Sequence, residues 1–366
     1  GKLSGRVGRW RIGMLAVRQD EFAPATGTRI DASTVGVARI AADVLSESSV
    51  GFVGTFGDPG TNGSNSLVGG DFLYQNTRFP GGRTLEAEAW VQHSDTGGVT
   101  SNQDAFGVGA RLIDTAGWRY GVAYKQIGRG FRPALGFVSR AGIRGFNVDG
   151  GYTNLIRGPL VQSVFTGLDA ERIEDVNGRL QSEALALRPV ELESSRRDVL
   201  KLYYMFNTEV LSMPFTIFST VNKRVVIPAG RYPFNDYGLD FTTGQQRRLG
   251  ARLNFRRGEF YDGRRLSLGG ELSWKQSKHF AVRGSYDFND ITLPAGKFST
   301  RIVGAGADIN FSSRLFWTNL FQYDNVSEVA GFQSHVHYIP KAGQEFNLIV
   351  NKASEDIDRD GHFRSL

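Results

Sequence analysis

A chain of 366 residues is longer than most single hydrophobic cores, so one domain is possible only as a barrel or a repeat-like architecture. The complete lack of cysteine excludes a disulfide framework, thiolate metal sites and haem attached through C-x-x-C-H. The net charge of +6 divides into 43 basic and 37 acidic residues interspersed along the chain, which excludes the basic run of a nucleic-acid footprint.

Composition then points to strands. With 46 Gly, 26 Phe and 12 Tyr against 3 Met and 11 Pro, tight turns and pleated segments are favoured over helices. No stretch approaches 18 consecutive apolar residues, which excludes helical membrane spans. Membrane barrels escape that test because only every second residue meets lipid. No signal peptide precedes GKLSGRVGRW, so the chain reads as a mature or truncated piece whose export signal lies outside it.

In chain order, Lys2 to Gln19 read as the end of one strand, a turn at Val7–Arg9, and a second strand with Trp10, Ile12 and Met14 on one face. Beyond the polar loop 20–31, residues 34–45 set Ala38, Ile40, Ala42 and Val44 against Arg39 and Asp43. A short turn leads to 49–57. Further strands are predicted over 65–76, 84–94, 104–114, 118–127, 143–156, 159–172, 178–190, 198–211, 232–243, 248–260, 264–276, 280–292, 299–312, 315–326, 330–340 and 344–353. That gives about twenty strands of about ten residues, the length a tilted membrane strand needs.

The connections carry a second signal. Short turns fall near Gly8, Glu47, Pro80, Ala116, Gly158, Ser195, Gln245, Lys278, Ser313 and Gly343, and longer connections lie between them at 20–33, 128–142, 212–231 and 354–363. Outer-membrane barrels sort their turns and loops in this way. A soluble sandwich is not expected to.

The hairpin 264–289 shows the two faces most clearly. Leu266, Leu268, Leu272 and Trp274 oppose Ser267, Glu271, Ser273 and Lys275; after the turn Gln276–His279, Phe280, Val282, Tyr286 and Phe288 oppose Arg283, Ser285, Asp287 and Asn289. The apolar stripe stands roughly 20 Å tall, close to the apolar band of about 25 Å in an outer-membrane barrel. Trp10, Trp274, Phe280, Tyr286 and Phe288 are the predicted aromatic girdle. The predicted fold is all-β, an antiparallel up-and-down transmembrane β-barrel forming one domain over 1–366, with about 20 strands in this chain and about 22 if complete.

Charged residues opposite the apolar ones must then face an aqueous or plugged lumen, because a dry core would cost several kcal/mol for each of them. The predicted lumen-facing set is Arg39, Asp43, Glu86, Glu88, Arg111, Arg119, Lys125, Arg252, Arg256, Glu271, Lys275, Arg283 and Asp287. Its cations form either a selectivity ladder for anions or cross-strand pairs with Glu86, Glu88, Glu271 and Asp287.

Several stretches resemble a known family. KLSGRVGRWRIGML (2–15), LGFVSRAGIR (135–144), MPFTI (213–217), VVIPAGRY (225–232), FSTRIVGAGADINFSSRLFWTNLFQYDN (298–325) and FQSHVHYIPKAGQEFNLIVN (332–351) are similar to the C-terminal barrel region of a Gram-negative family of unknown function. Its barrels usually follow a periplasmic domain similar to family-9 carbohydrate-binding modules. This chain departs from that pattern in lacking the upstream domain and in ending at HFRSL without a closing strand and terminal aromatic. The resemblance implies the outer membrane of a Gram-negative bacterium and supplies no activity or catalytic residues.

The remaining candidates are few. Asp356, Asp358, Asp360 and Gly361 open like a calcium loop, or form an ordinary solvated acidic loop. His335 and His337 point the same way from one strand, as a two-ligand metal site or a lumen-facing pair. Loop 128–142 is read as an inward constriction or a docking surface. Loop 212–231 is more apolar than a solvated loop needs, which suggests a protein partner or the continuation of a long hairpin. There is no nucleophile elbow, phosphate loop or zinc signature, so no enzyme and no cofactor are expected. The expected function is a channel or transport pore in outer-membrane lipid. The alternative is a scaffold barrel housing a secretion, surface-assembly or electron-transfer partner.

Overall fold

The computed structural model describes residues 1–23, 27–341 and 343–355. Its strands are β1 (Lys2–Val7), β2 (Trp10–Gln19), β3 (Ser33–Val44), β4 (Ser48–Phe56), β5 (Asn65–Phe79), β6 (Arg83–Thr96), β7 (Asp104–Ile113), β8 (Gly117–Ile127), β9 (Ile143–Leu155), β10 (Val161–Asp175) and β11 (Leu180–Ser194). They continue as β12 (Val199–Leu211), β13 (Phe215–Ser219), β14 (Arg224–Ile227), β15 (Gly230–Thr242), β16 (Leu249–Phe260), β17 (Gly263–Lys275), β18 (Phe280–Leu293), β19 (Gly296–Ser312), β20 (Leu315–Asp324), β21 (Val329–Lys341) and β22 (Gln344–Glu355). Twenty of them form one antiparallel sheet, β13 and β14 form a separate two-stranded one, and no described residue is helical.

Strands of the large sheet pair in sequence order from β1–β2 to β21–β22, with β12 pairing directly to β15. Among the described residues no pairing joins β1 to β22, so the closed barrel expected from the sequence is met only as far as its open antiparallel sheet. β1 is six residues long and exposed throughout.

Two compact units divide the chain, Gly1–Thr153 with Leu168–Ala184, and Asn154–Gly167 with Leu185–Leu366. In each, register assigns side chains alternately to two faces. In the first unit, Val68, Val91, Val108 and Val122 share one face and are 52–62 % exposed. The opposite face carries Asp71, Glu88, Arg111 and Lys125. In the second unit, Leu268 and Leu272 are 41 % and 63 % exposed on the face opposite Glu271 and Arg283.

Neither unit hides its apolar face. Each buries a small cluster on its charged face instead. In the first unit, the connection 128–142 lays Phe131 against Leu67 and Ala105, flanked by Val53, Trp90, Ile127 and Val138. Backbone bonds hold it there: Gly128 donates to the Asp104 carbonyl at 2.9 Å and Gly130 to that of Asn102 at 2.9 Å. A Cβ at Gly128 would sit 2.0 Å from the Asn102 carbonyl oxygen, so glycine is required for this approach. Asn65 finishes the attachment, donating to the Arg132 carbonyl at 2.7 Å and accepting from the Ala134 amide at 3.2 Å.

In the second unit, the connection between β12 and β15 forms the β13–β14 hairpin. Its Val225 and Ile227 are buried against Ile291, Leu293 and Phe298, and Phe218 stacks on Phe298 with centroids 4.5 Å apart. The apolar excess of 212–231 is therefore largely spent inside the molecule. The predicted alternation of long and short connections is uneven for a related reason. β16–β17 and β18–β19 are joined by two-residue turns at 261–262 and 294–295, and the hairpin packs beside them with Tyr261 and Leu293 in its cluster.

One turn is clasped electrostatically. Asp198 accepts from Arg247 Nε at 2.7 Å, again from Arg247 Nη2, and from the Gly244 amide at 2.9 Å, tying the turn before β12 to the one after β15. The Arg247 guanidinium, with help from Gly244 and Ser194, holds the Asp198 carboxyl down to about 2. A depressed folded pKa means that this contribution is complete above the ordinary carboxylate value of 3.8 and is lost as pH falls through about 2. Urea midpoints followed by tryptophan fluorescence across that window are expected to fall more steeply for the wild type than for Asp198→Asn. Parallel curves would refute the clasp.

Candidate functional site

Register places the predicted charged set on one face. Arg39 and Asp43 alternate with Ala38, Ile40 and Ala42 on β3. Glu86, Glu88, Arg111, Arg119 and Lys125 line up across β6–β8 of the first unit. In the second unit Arg252, Arg256, Glu271, Lys275, Arg283 and Asp287 share the face that β16–β18 turn away from Leu268 and Leu272.

Many of these charges are paired. Arg111 meets Glu86 at 2.6 Å, directly across β6–β7, as cross-strand pairing predicts. Arg39 reaches Asp71 through two bonds of 2.8 and 2.9 Å, passing over the intervening strand at Gly51. A Cβ at Gly51 would lie 2.6 Å from the Arg39 guanidinium, so the missing side chain makes the slot for this pair. Arg283 takes Asp308 at 2.5 Å across Gly306. Arg6 and Arg11 share Asp43 at 2.8 and 3.0 Å. Lys275 donates to the Gln245 carbonyl at 2.8 Å. Arg39, Arg111 and Arg283 are each held by a carboxylate, so the face carries both signs of charge rather than a row of bare cations at these positions.

The deepest pair was missed in the sequence. Asp236, 1 % exposed, accepts from Arg256 Nε and Nη2 at 2.6 and 2.7 Å and lies 3.5 Å from Arg265. Arg265 stacks over the Phe260 ring at 4.4 Å. Asp236 lies in FNDYGLDF, where Phe234, Asp236, Gly238 and Asp240 alternate with Asn235, Tyr237, Leu239 and Phe241. The parity that puts Asp236 on the charged face was readable; Arg265 as a partner, two strands away, was not.

A cavity of about 280 Å³ opens on the charged face of the first unit beside Glu86, Glu88, Arg111, Asn147 and Asp149, with Gly109 and Gly121 on its floor. Three carboxylates against one guanidinium, itself held by Glu86, suit a cationic or hydroxyl-rich solute better than an anion.

His335 and His337 share the charged face of β21, with rings 6.0 Å apart and nearly parallel. His335 Nε2 lies 2.9 Å from Asn347 Oδ1 and His337 Nε2 3.6 Å from Glu345. Among the described residues no three His, Cys, Asp or Glu side chains converge as metal ligands. Asp356, Asp358 and Asp360 lie outside the described residues.

The predicted girdle residues lie on the apolar face. Trp10, Trp274 and Tyr286 are 40–46 % exposed, Phe280 and Phe288 half-buried, and the Tyr286 and Phe288 rings stack 6.5 Å apart. The first unit adds rings that the sequence reading passed over. Trp118 meets Tyr152 at 5.3 Å near one end of β8, and Tyr124 meets Phe106 and Phe146 at 6.0 and 5.0 Å near the other. Val122 and Val148 lie between these two groups.

No protein-family model matches the chain, and no curated protein is similar to it at a meaningful level.

Proposed function

We propose that the chain is an outer-membrane β-barrel that passes or binds small solutes along a lumen of mixed charge, in the Gram-negative envelope that its family resemblance implies. The observation that carries this reading is the sorting of faces. Exposed Val, Leu and ring residues hold one face, and the ion pairs Arg39–Asp71, Arg111–Glu86, Arg256–Asp236 and Arg283–Asp308 hold the other. Contiguous apolar surface of that extent is unfavourable in water and favourable in lipid. Loop 128–142 and the β13–β14 hairpin, each packed on the charged face, act as constrictions.

Planar-bilayer recording tests this. The purified protein is expected to conduct in discrete steps. Phe131→Ala removes packing worth about 3–5 kcal/mol, and is expected to raise the open-channel conductance and its noise by freeing the loop. A folded, inserted protein that never conducts would sink the pore.

A second reading has its own support. The apolar loop tips Met213, Val221 and Phe137 are 70 %, 101 % and 89 % exposed. A scaffold that holds a protein partner at 128–142 or 212–231 accounts for them. Co-purification of one partner at fixed stoichiometry, in the absence of conductance, would favour it.

A further inference from the structure

On the apolar face of the second unit, side-chain chemistry changes abruptly along the strands. One cross-strand row reads Phe255, Leu268, Phe288, Arg301. The next row toward the 261–262 turn reads Arg257, Leu266, Asp290, Ser299, and the one beyond it Glu259, Arg264, Thr292, Lys297. Within two rows, roughly 13–14 Å of strand, the face passes from rings to cations.

The charges there do not cancel. Lys297 meets Asp290 at 3.2 Å, and Glu259 accepts from the Asn235 amide at 3.0 Å. Arg301 leans over the Phe288 ring at 5.6 Å. Arg257 and Arg264 are exposed, and among the described residues neither has an acidic partner. Both line a surface groove of about 680 Å³ that also takes in Tyr204, Tyr237, Leu266 and Lys297.

We propose that this groove binds the phosphorylated headgroup of a membrane lipid, with Arg257 and Arg264 on the phosphate and the acyl chains running down over Leu266, Leu268 and Phe288. Guanidinium groups recognise phosphate oxygens through paired, charge-assisted hydrogen bonds. The site is also continuous with an apolar surface, which free phosphate would leave uncovered. A lipid fills both halves. The inference rests on the membrane reading above, and places the 261–262 end of the strands in the leaflet that carries phosphorylated glycolipid.

Native mass spectrometry of the whole protein, released from neutral detergent after addition of lipid A or phosphatidylcholine, tests it. The wild type is expected to retain one lipid A, whose phosphomonoesters carry net negative charge, in preference to phosphatidylcholine, whose single phosphodiester charge is balanced by its own quaternary ammonium. The pair Arg257→Ala and Arg264→Ala is expected to lower that retention about tenfold, and Arg257→Lys with Arg264→Lys to restore most of it. A heat-dependent gel shift identical to wild type confirms that each variant is folded. Equal lipid A retention by the folded alanine variant overturns the site. Equal retention of dephosphorylated lipid A, or displacement of lipid A by millimolar inorganic phosphate, also overturns it. A wild-type protein that stays in solution without detergent and ignores vesicles overturns the membrane reading itself, an outcome distinct from those three.

Discussion

Asp236→Ala is expected to destabilise the folded protein by about 3–5 kcal/mol, the cost of removing one partner from a buried ion pair. Asp236 is 1 % exposed and carries two arginines, Arg256 through its Nε and Nη2 and Arg265 more distantly. Without the carboxylate, two positive charges face each other beside the cluster of Val225, Ile227, Ile291 and Phe298, because Arg265 lies across from Ile291 on β18. Asp236→Asn keeps the shape and one acceptor, and is expected to lose about half as much. Urea unfolding of protein reconstituted in vesicles measures the difference. A change below 1 kcal/mol for the alanine variant would mean that solvent, not Asp236, balances the arginines.

The same network shows why part of the site was legible in the sequence and part was not. A period of two is a local property, so Glu271 and Arg283 could be placed opposite Leu272 and Val282 from the sequence, and the register agrees. The turn Gln276–His279 likewise falls between β17 and β18 as read. Pair identity is not local. Arg111 and Glu86 face each other directly, which cross-strand reasoning anticipates. Arg256 and Arg283 lie opposite Gly238 and Gly306, so each guanidinium leans along the neighbouring strand to Asp236 or Asp308. Arg39 passes over Gly51 to a strand beyond its neighbour. Those partners depend on stagger and on absent side chains, and both exist only once the sheet is assembled.

The loops divide in the same way. For 128–142 the sequence left a constriction and a docking surface both open, and the Asn65 bonds to Arg132 and Ala134 that fix the loop come from 67 and 69 residues away. In 212–231 the apolar excess was visible, but its destination, beside the two-residue turns at 261–262 and 294–295, required knowing that those turns were short.

The faces themselves are tested most directly by Leu268→Arg. Leu268 is 41 % exposed in the middle of β17, paired with Phe255 and Phe288 and within two rows of the cations at Arg257 and Arg264. If lipid covers this face, a guanidinium there, one row below the cationic rim, costs about 1–2 kcal/mol, between the larger cost at the bilayer midplane and the small one at its interface. Folding into vesicles should weaken accordingly, with part of the cost recovered as the side chain reaches toward the charged rim. Ser267→Arg, one residue away on the opposite face, replaces a hydroxyl bonded to Asn289 at 2.6 Å and is expected to cost much less. The comparison holds the bulk and charge of arginine constant, and because Ser267 lies opposite Arg256, repulsion at the control position makes the expected difference a lower bound. Leu268→Arg tolerated as well as Ser267→Arg would place water on both sides of the sheet and remove the basis for a membrane barrel.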